Sequence, residues 1–301
     1  MIKLTDHITL LQAPGYEYPF SNCLLIEDDG LYLVDSAMRE QYYELLKEQP
    51  IQLIIGSHGH ADHAYRNSQF PQAQVLMHEA DHPMLESRDG YLNAMGIKLF
   101  EEYLQPPLRV DQVGYRFRPA DGALSDSQVL TLGSTEVQVI HLPGHTPGHC
   151  GFLFPAEGIL FTADIDLSRL GPWYANVISD IDDFLNSIQR VIDLRPEMII
   201  PGHGRAPITK DIESRLIQFR DIIYQREERI IQAMYRRKRT LLEIATGFPV
   251  HGTELDPRLL VFELVMVYNH LRRLQGLGRI VQDGDRYYLT GGLRPSNLYL
   301  G

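Results

Sequence analysis

The sequence predicts an α/β domain followed by a smaller, mainly helical one, and three observations carry that expectation. Short apolar, β-branched runs recur between tight turns through residues 1–200. Helical stretches alternate with these runs. After Pro207 the pattern changes to long helices with Arg, Glu and Gln on the polar face. The boundary therefore falls near residue 210, separating residues 1–210 from residues 211–301.

Ile8–Leu11, Cys23–Ile26 and Leu31–Val34 read as strands, with Asp28-Asp29-Gly30 as a hairpin turn between the last two. A helix is expected over Arg39–Glu48, ended by Pro50. The run Ile51–Ile55 is a buried strand, followed by a helix from about Asp62 and another strand at Gln74–Met77. Residues 80–120 lose the rhythm. A helical stretch there is interrupted by Pro106-Pro107 and Arg116-Phe117-Arg118-Pro119, and an insertion of this length serves as a lid or pocket wall. Strands return at Val129–Leu132, Glu136–Leu142, Gly151–Phe154 and Ile159–Thr162. A helix over Ile181–Asp193, N-capped by Asp180, precedes the strand Glu197–Ile200.

The chain has 301 residues, 44% of them hydrophobic and 22% charged, as in a globular protein. It has no apolar run near the roughly 20 residues of a membrane span and no signal-peptide core at the N-terminus, so the cytoplasm is the expected location. Cys23 and Cys150 lie in apolar runs and read as buried free thiols. A minor ligand or redox role for Cys150 stays open. Residues 211–301 carry 14 Lys/Arg against 11 Asp/Glu, which leaves 14 against 28 for residues 1–210. Such an acidic body argues against coating nucleic acid.

The chemistry concentrates in Ser57-His58-Gly59-His60-Ala61-Asp62-His63, at the C-terminal end of the Ile51–Ile55 strand. His58 and His60, two apart, share a side in extended backbone and can reach one cation. Asp62 and His63 follow a turn and can aim at a second point. Three further strand ends present His145, Asp164 and His203, and glycines beside the two histidines let the backbone turn sharply. Singly, His145 reads equally as a loop residue, Asp164 as a helix cap and His203 as a buried histidine. Together the seven exceed what one ion can use, and imidazole with carboxylate suits zinc, iron or manganese.

With His-x-His-x-Asp-His at 58–63, Gly144-His145-Thr146-Pro147-Gly148-His149, Thr162-Ala163-Asp164 and Pro201-Gly202-His203-Gly204, the sequence resembles the metallo-β-lactamase superfamily over about residues 1–208. The resemblance implies an αββα sandwich. It also implies one metal on His58, His60 and His145, another on Asp62, His63 and His203, and a bridging Asp164. Asp164 stands where class B1 lactamases have cysteine, which argues against antibiotic hydrolysis. Position 60 is His, not the Glu of flavodiiron oxygen reductases. The set is that of glyoxalase II-like hydrolases. Persulfide dioxygenases, which use a single iron, share much of it.

The expected reaction is hydrolysis of an ester, thioester, lactone or phosphoester of a small molecule by hydroxide formed on two divalent ions, zinc first, with Asp62 as ligand and orienter. In the segment after Asp164, Arg169 is a candidate to hold a substrate carboxylate or phosphate. Trp173, the only tryptophan, and Tyr174 are candidates for an apolar wall. Helices at Thr240–Thr246 and Pro257–Leu274, then Arg279–Val281 and Arg286–Leu289 around Asp283-Gly284, resemble the winged-helix tail of some superfamily hydrolases. Helix followed by wing is also a nucleic-acid-binding layout, and Arg236-Arg237-Lys238-Arg239 and Arg272-Arg273 add charge. The tail is expected to serve as a lid or homodimer contact; the alternative functions are a metal-dependent ribonuclease or a mononuclear iron persulfide dioxygenase.

Overall fold

The computed structural model describes residues 1–13, 15–96, 99–100, 114–252 and 260–290. The Pro106-Pro107 break and the expected helix start at Pro257 lie outside the described residues. One sheet contains β1 (Ile2–Lys3), β2 (Ile8–Leu11), β3 (Cys23–Glu27), β4 (Leu31–Val34), β5 (Ile51–Ile55), β6 (Gln74–His78) and β7 (Gly122–Leu124), in that spatial order. Neighbours from β1 to β4 are antiparallel, and those from β4 to β7 are parallel. A second sheet is ordered β12-β11-β10-β9-β8, from β8 (Val129–Leu132), β9 (Thr135–His141), β10 (Cys150–Phe154), β11 (Ile159–Ala163) and β12 (Met198–Pro201). Only β11 and β12 are parallel in it.

The period-2 alternation of the strands sets the layers. Leu24 and Ile26 of β3 face Phe152 and Phe161 of the second sheet, filling the space between the sheets. Cys23 and Leu25 point the other way, onto Tyr42 and Leu46 of α1 (Glu40–Leu46). On β11, Ile159 and Phe161 face inward. Leu160 faces outward against α5 (Ile181–Leu194), and burying such a side chain contributes about 2 kcal/mol. The order is helix, sheet, sheet, helix. As expected, Asp180 caps α5 by accepting from the Asp183 N–H, and both cysteines are buried free thiols.

The remaining helices are α2 (Ala61–Ala64), α3 (His82–Glu86), α4 (Arg88–Met95), α6 (Ile212–Met234), α7 (Leu241–Ala245) and α8 (Leu260–Gly276). Three short strands, β13 (Arg239–Thr240), β14 (Ile280–Asp283) and β15 (Arg286–Leu289), pair in the order β13-β15-β14. The apolar core under α5 does not stop at residue 210. It continues through Leu216, Phe219 and Ile223 of α6 into Leu264 and Val267 of α8. The three edge strands that sequence reading passes over, β1, β7 and β13, are two, three and two residues long, too short to show a period.

Candidate metal centre

The histidines and aspartates converge because β5 of one sheet and β9, β11 and β12 of the other all end on the same rim of the sandwich. His58 and His60 follow β5, and Asp62 and His63 lie in the single turn of α2. His145, Asp164 and His203 follow β9, β11 and β12 respectively. The loop bearing His145 depends on Gly144: its φ is 124°, and a Cβ there would lie 2.2 Å from the backbone nitrogen of Phe184. Ala163 holds a φ of 44° immediately before Asp164, a left-handed conformation that costs a non-glycine residue about 1–2 kcal/mol.

Ligand atoms of His58, His60, His145 and Asp164 lie within 4.8 Å of one another, as do those of Asp62, His63 and His203. In the first group His60 Nδ1 is 2.9 Å from both His58 Nε2 and His145 Nε2, and those two are 3.2 Å apart. With all three rings neutral, no arrangement of protons satisfies that triangle, because the proton of each ring is already committed on its other nitrogen. His145 Nδ1 donates to the Trp173 carbonyl, 2.7 Å away. Asn176 directs its amide nitrogen at the His145 carbonyl, so its Oδ1 accepts from His60 Nε2 at 3.1 Å. Ser57 donates to Asp35, so its Oγ accepts from His58 Nδ1 at 3.0 Å. Three bare lone pairs therefore meet at one point. Nitrogens bound to tetrahedral zinc at about 2.0–2.1 Å would stand roughly 3.3 Å apart, close to this spacing. Burial keeps His58 well below the usual histidine range and holds His60 down to about 4, so both are neutral at neutral pH, as ligands must be.

The second group has the same demand. His63 Nδ1 donates to Asp35, which leaves Nε2 facing His203 Nε2 at 3.2 Å and Asp164 Oδ1 at 2.9 Å. Asp164 Oδ1 faces His63 Nε2, and Oδ2 lies 3.2 Å from His145 Nε2, so one carboxylate reaches both groups. Burial alone would lower His63, but the Asp164 and Asp35 carboxylates outweigh it and raise it well above the usual range. Burial likewise raises Asp62, and the His203 and His63 rings overcome that to hold it down to about 2. The cluster calls for positive charge at its centre. A divalent cation fits the donor set.

Three further supporting residues carry no role in the sequence reading. Asp35 receives the Ser57 N–H and hydroxyl and His63 Nδ1. Asp81 ties the first histidine loop to the His145 loop by accepting from Gly59 N (2.9 Å), Gly148 N (2.7 Å) and Thr146 Oγ1 (2.6 Å). His149 donates to the Leu142 carbonyl and accepts from the Asp164 N–H. The only sequence signal was their position at or near a strand end. Cys150 donates its thiol to the Gly148 carbonyl and belongs to neither group.

The centre opens into a cavity of about 540 Å³. Its floor includes His60, Asp62, Asp164 and His203, and its wall is largely aromatic: Tyr16, Tyr18, Tyr91, Trp173 and Phe262. Helix α4, in the stretch expected to wall a pocket, supplies Tyr91 and Met95. Among the three candidates for substrate contact, only Trp173 lines the cavity. Arg169 is exposed and does not line it. Tyr174 is fully buried and turned away, its hydroxyl 2.8 Å from His270 Nε2 and accepting from Arg226. The cause is alternation, since neighbours on an irregular strap face opposite sides.

A family model described as the metallo-beta-lactamase superfamily matches residues 18–203. The chain is 27% identical over 157 residues to the beta-lactamase-like protein 2 homolog of Drosophila melanogaster, covering 52% of this chain but only 51% of that protein. It is 27% identical over 195 residues to the hydroxyacylglutathione hydrolase GloC of Haemophilus influenzae, covering 61% and 85% of the two chains. A solved metallo-beta-lactamase family protein from Thermus thermophilus superposes with a TM-score of 0.78 at 22% identity, covering 95% of this chain and 100% of the other. That likeness of fold includes the C-terminal helices.

Proposed function

The chain belongs to the metallo-β-lactamase superfamily, and from that premise we propose that it is a metal-dependent hydrolase of small esters or thioesters with an uncharged, apolar acyl group. The observation that carries this reading is the pairing of two ligand groups that share Asp164 with an aromatic cavity directly above them. Two divalent cations, zinc in the first instance, would supply a water of lowered pKa and take up charge developing on the substrate oxygen. His58, His60, His145 and Asp164 would hold one ion, and Asp62, His63, His203 and Asp164 the other. Asp62, ionised and facing the cavity, would accept a hydrogen bond from the attacking water and so orient it.

The acyl group is assigned from the wall. Besides the proposed ligands, the charged side chains lining the cavity among the described residues are Glu17 and Asp166, both acidic. An anionic substrate group seated there would meet no described counter-charge, whereas five aromatic rings favour an alkyl or aryl group. The decisive experiment is a hydrolase panel on zinc-loaded protein. Turnover of neutral acyl esters and thioesters, with little on phosphodiesters, is expected. Activity confined to phosphodiesters, or one iron per chain with persulfide oxidation, would replace this reading.

We read the tail as winged-helix-like and as part of the hydrolase, not as a nucleic-acid binder. Its basic groups are largely used internally: Lys238 pairs with Asp283, Arg273 with Asp182 and Glu227, and Arg272 donates to the Val177 carbonyl. Tight RNA binding that weakens steeply with salt and is lost on replacing Arg236, Arg237 and Arg239 would overturn this.

A further inference from the structure

The segment 170–177 runs between the metal centre and the C-terminal helices, and its polar groups divide between the two. On one side, the Trp173 carbonyl accepts from His145 Nδ1 and the Asn176 side chain accepts from His60 Nε2. On the other side, Arg226 of α6 donates to the carbonyls of Leu170 and Pro172, 2.5 Å each. Asn269 of α8 donates to the carbonyls of Tyr174 and Asn176, at 2.9 and 2.8 Å. Arg272 donates to the Val177 carbonyl at 2.9 Å. Arg226 and Asn269 are buried, at 2% and 3% exposure, so these bonds are made away from competing water. The Trp173 ring also packs on Phe262 of α8, with centroids 5.0 Å apart.

We propose that Asn269 and Arg226 are positioning residues for the metal centre: by fixing the strap 170–177 they set the tautomer and direction of His60 and His145 from outside the metallo-β-lactamase sheets. The C-terminal helices are then a brace without which the first ligand group is not pre-formed. The physical reason lies in the two histidines themselves. Each presents a bare inward nitrogen only while its other nitrogen has a rigid acceptor, and both acceptors sit on a strap with no regular secondary structure of its own. Loss of such an outer partner weakens metal affinity about 10- to 100-fold. The inference rests on the site taking a metal, not on the identity of the reaction.

The test uses the full chain and cobalt(II) as the metal, read by its visible absorption and by chelator competition. Asn269→Asp keeps the shape of the side chain and replaces its N–H donors with an acceptor. The expected result is a folded protein whose cobalt affinity at one of two sites falls about tenfold or more, with shifted absorption bands. Arg226→Lys, which retains a cation able to reach one carbonyl, should show a smaller loss in the same direction. Arg286→Ala, at an exposed position of β15, should change neither. Folded Asn269→Asp with wild-type affinity and spectrum overturns the proposal. Should the variants fail to fold, hydrogen exchange on the unaltered protein decides: cobalt loading must slow the amides of 170–177 and of α8 around residue 269 together. Slowing confined to the histidine loops overturns it.

Discussion

Asp35 and His63 lie 2.7 Å apart, Oδ2 to Nδ1, with both side chains wholly buried. That bond commits one ring nitrogen and leaves the other, Nε2, directed at Asp164 and His203. Asp35→Ala should therefore lower metal affinity at the site shared with Asp62 and His203 by roughly 10- to 100-fold. Chelator competition on the folded variant measures it. Unchanged affinity would mean that the ring is held by its packing alone.

Asp62 tests the proposed chemistry. Asp62→Asn retains the shape but loses the charge and the proton acceptor, and an amide is a poor ligand for zinc or iron. Hydrolysis should fall by several orders of magnitude and metal content should drop from two towards one per chain. Melting temperature should change little, because the sandwich core is built from the apolar strands. Near-wild-type turnover with one metal retained would sink the two-metal mechanism.

Gly144 tests the coupling of backbone and site. At a φ of 124°, with the Phe184 backbone 2.2 Å from any Cβ, Gly144→Ala must displace either the His145 loop or the start of α5. A loss of about 1–3 kcal/mol is expected from the backbone conformation alone. Urea denaturation gives the stability, and metal binding by the same preparation shows whether His145 moved.

Asp28 predicts a pH dependence far from the metal centre. Its carboxylate sits in the β3–β4 turn and accepts from the Ser134 hydroxyl and N–H and from the Thr135 hydroxyl, across the turn between β8 and β9. The Ser134 hydroxyl is the main cause holding it down to about 2. Because the folded value lies below the unfolded one of about 3.9, the stabilisation is complete above about pH 4 and is lost as pH falls towards 2. Asp28→Asn should melt earlier than wild type at pH 6, and the gap should close as the pH is lowered through that window. A gap that stays constant would show that the charge is not involved.

Much of this architecture is legible in the chain because its signals are local. Period-2 apolar runs with bounding turns identify most of the strands. The helix Ile181–Leu194 announces itself by its cap at Asp180. The candidate ligands stand out because imidazoles and carboxylates at successive strand ends have few structural uses, and the spacing of His58, His60, Asp62 and His63 needs no knowledge of the rest of the fold.

Tertiary structure alone decided what holds those ligands and what surrounds them. Asp35, Asp81, Asn176, Arg226 and Asn269 are ordinary in sequence, and each acquires its part only when a partner far along the chain is brought within hydrogen-bonding distance. The same holds for Trp173 and Tyr174, adjacent residues of which one faces the cavity and the other the C-terminal core. The apparent boundary at residue 210 marks a change of local pattern. The packing of α6 and α8 against α5 carries one apolar core across it, because a hydrophobic face is buried by whatever surface the fold brings to it and periodicity does not name that surface.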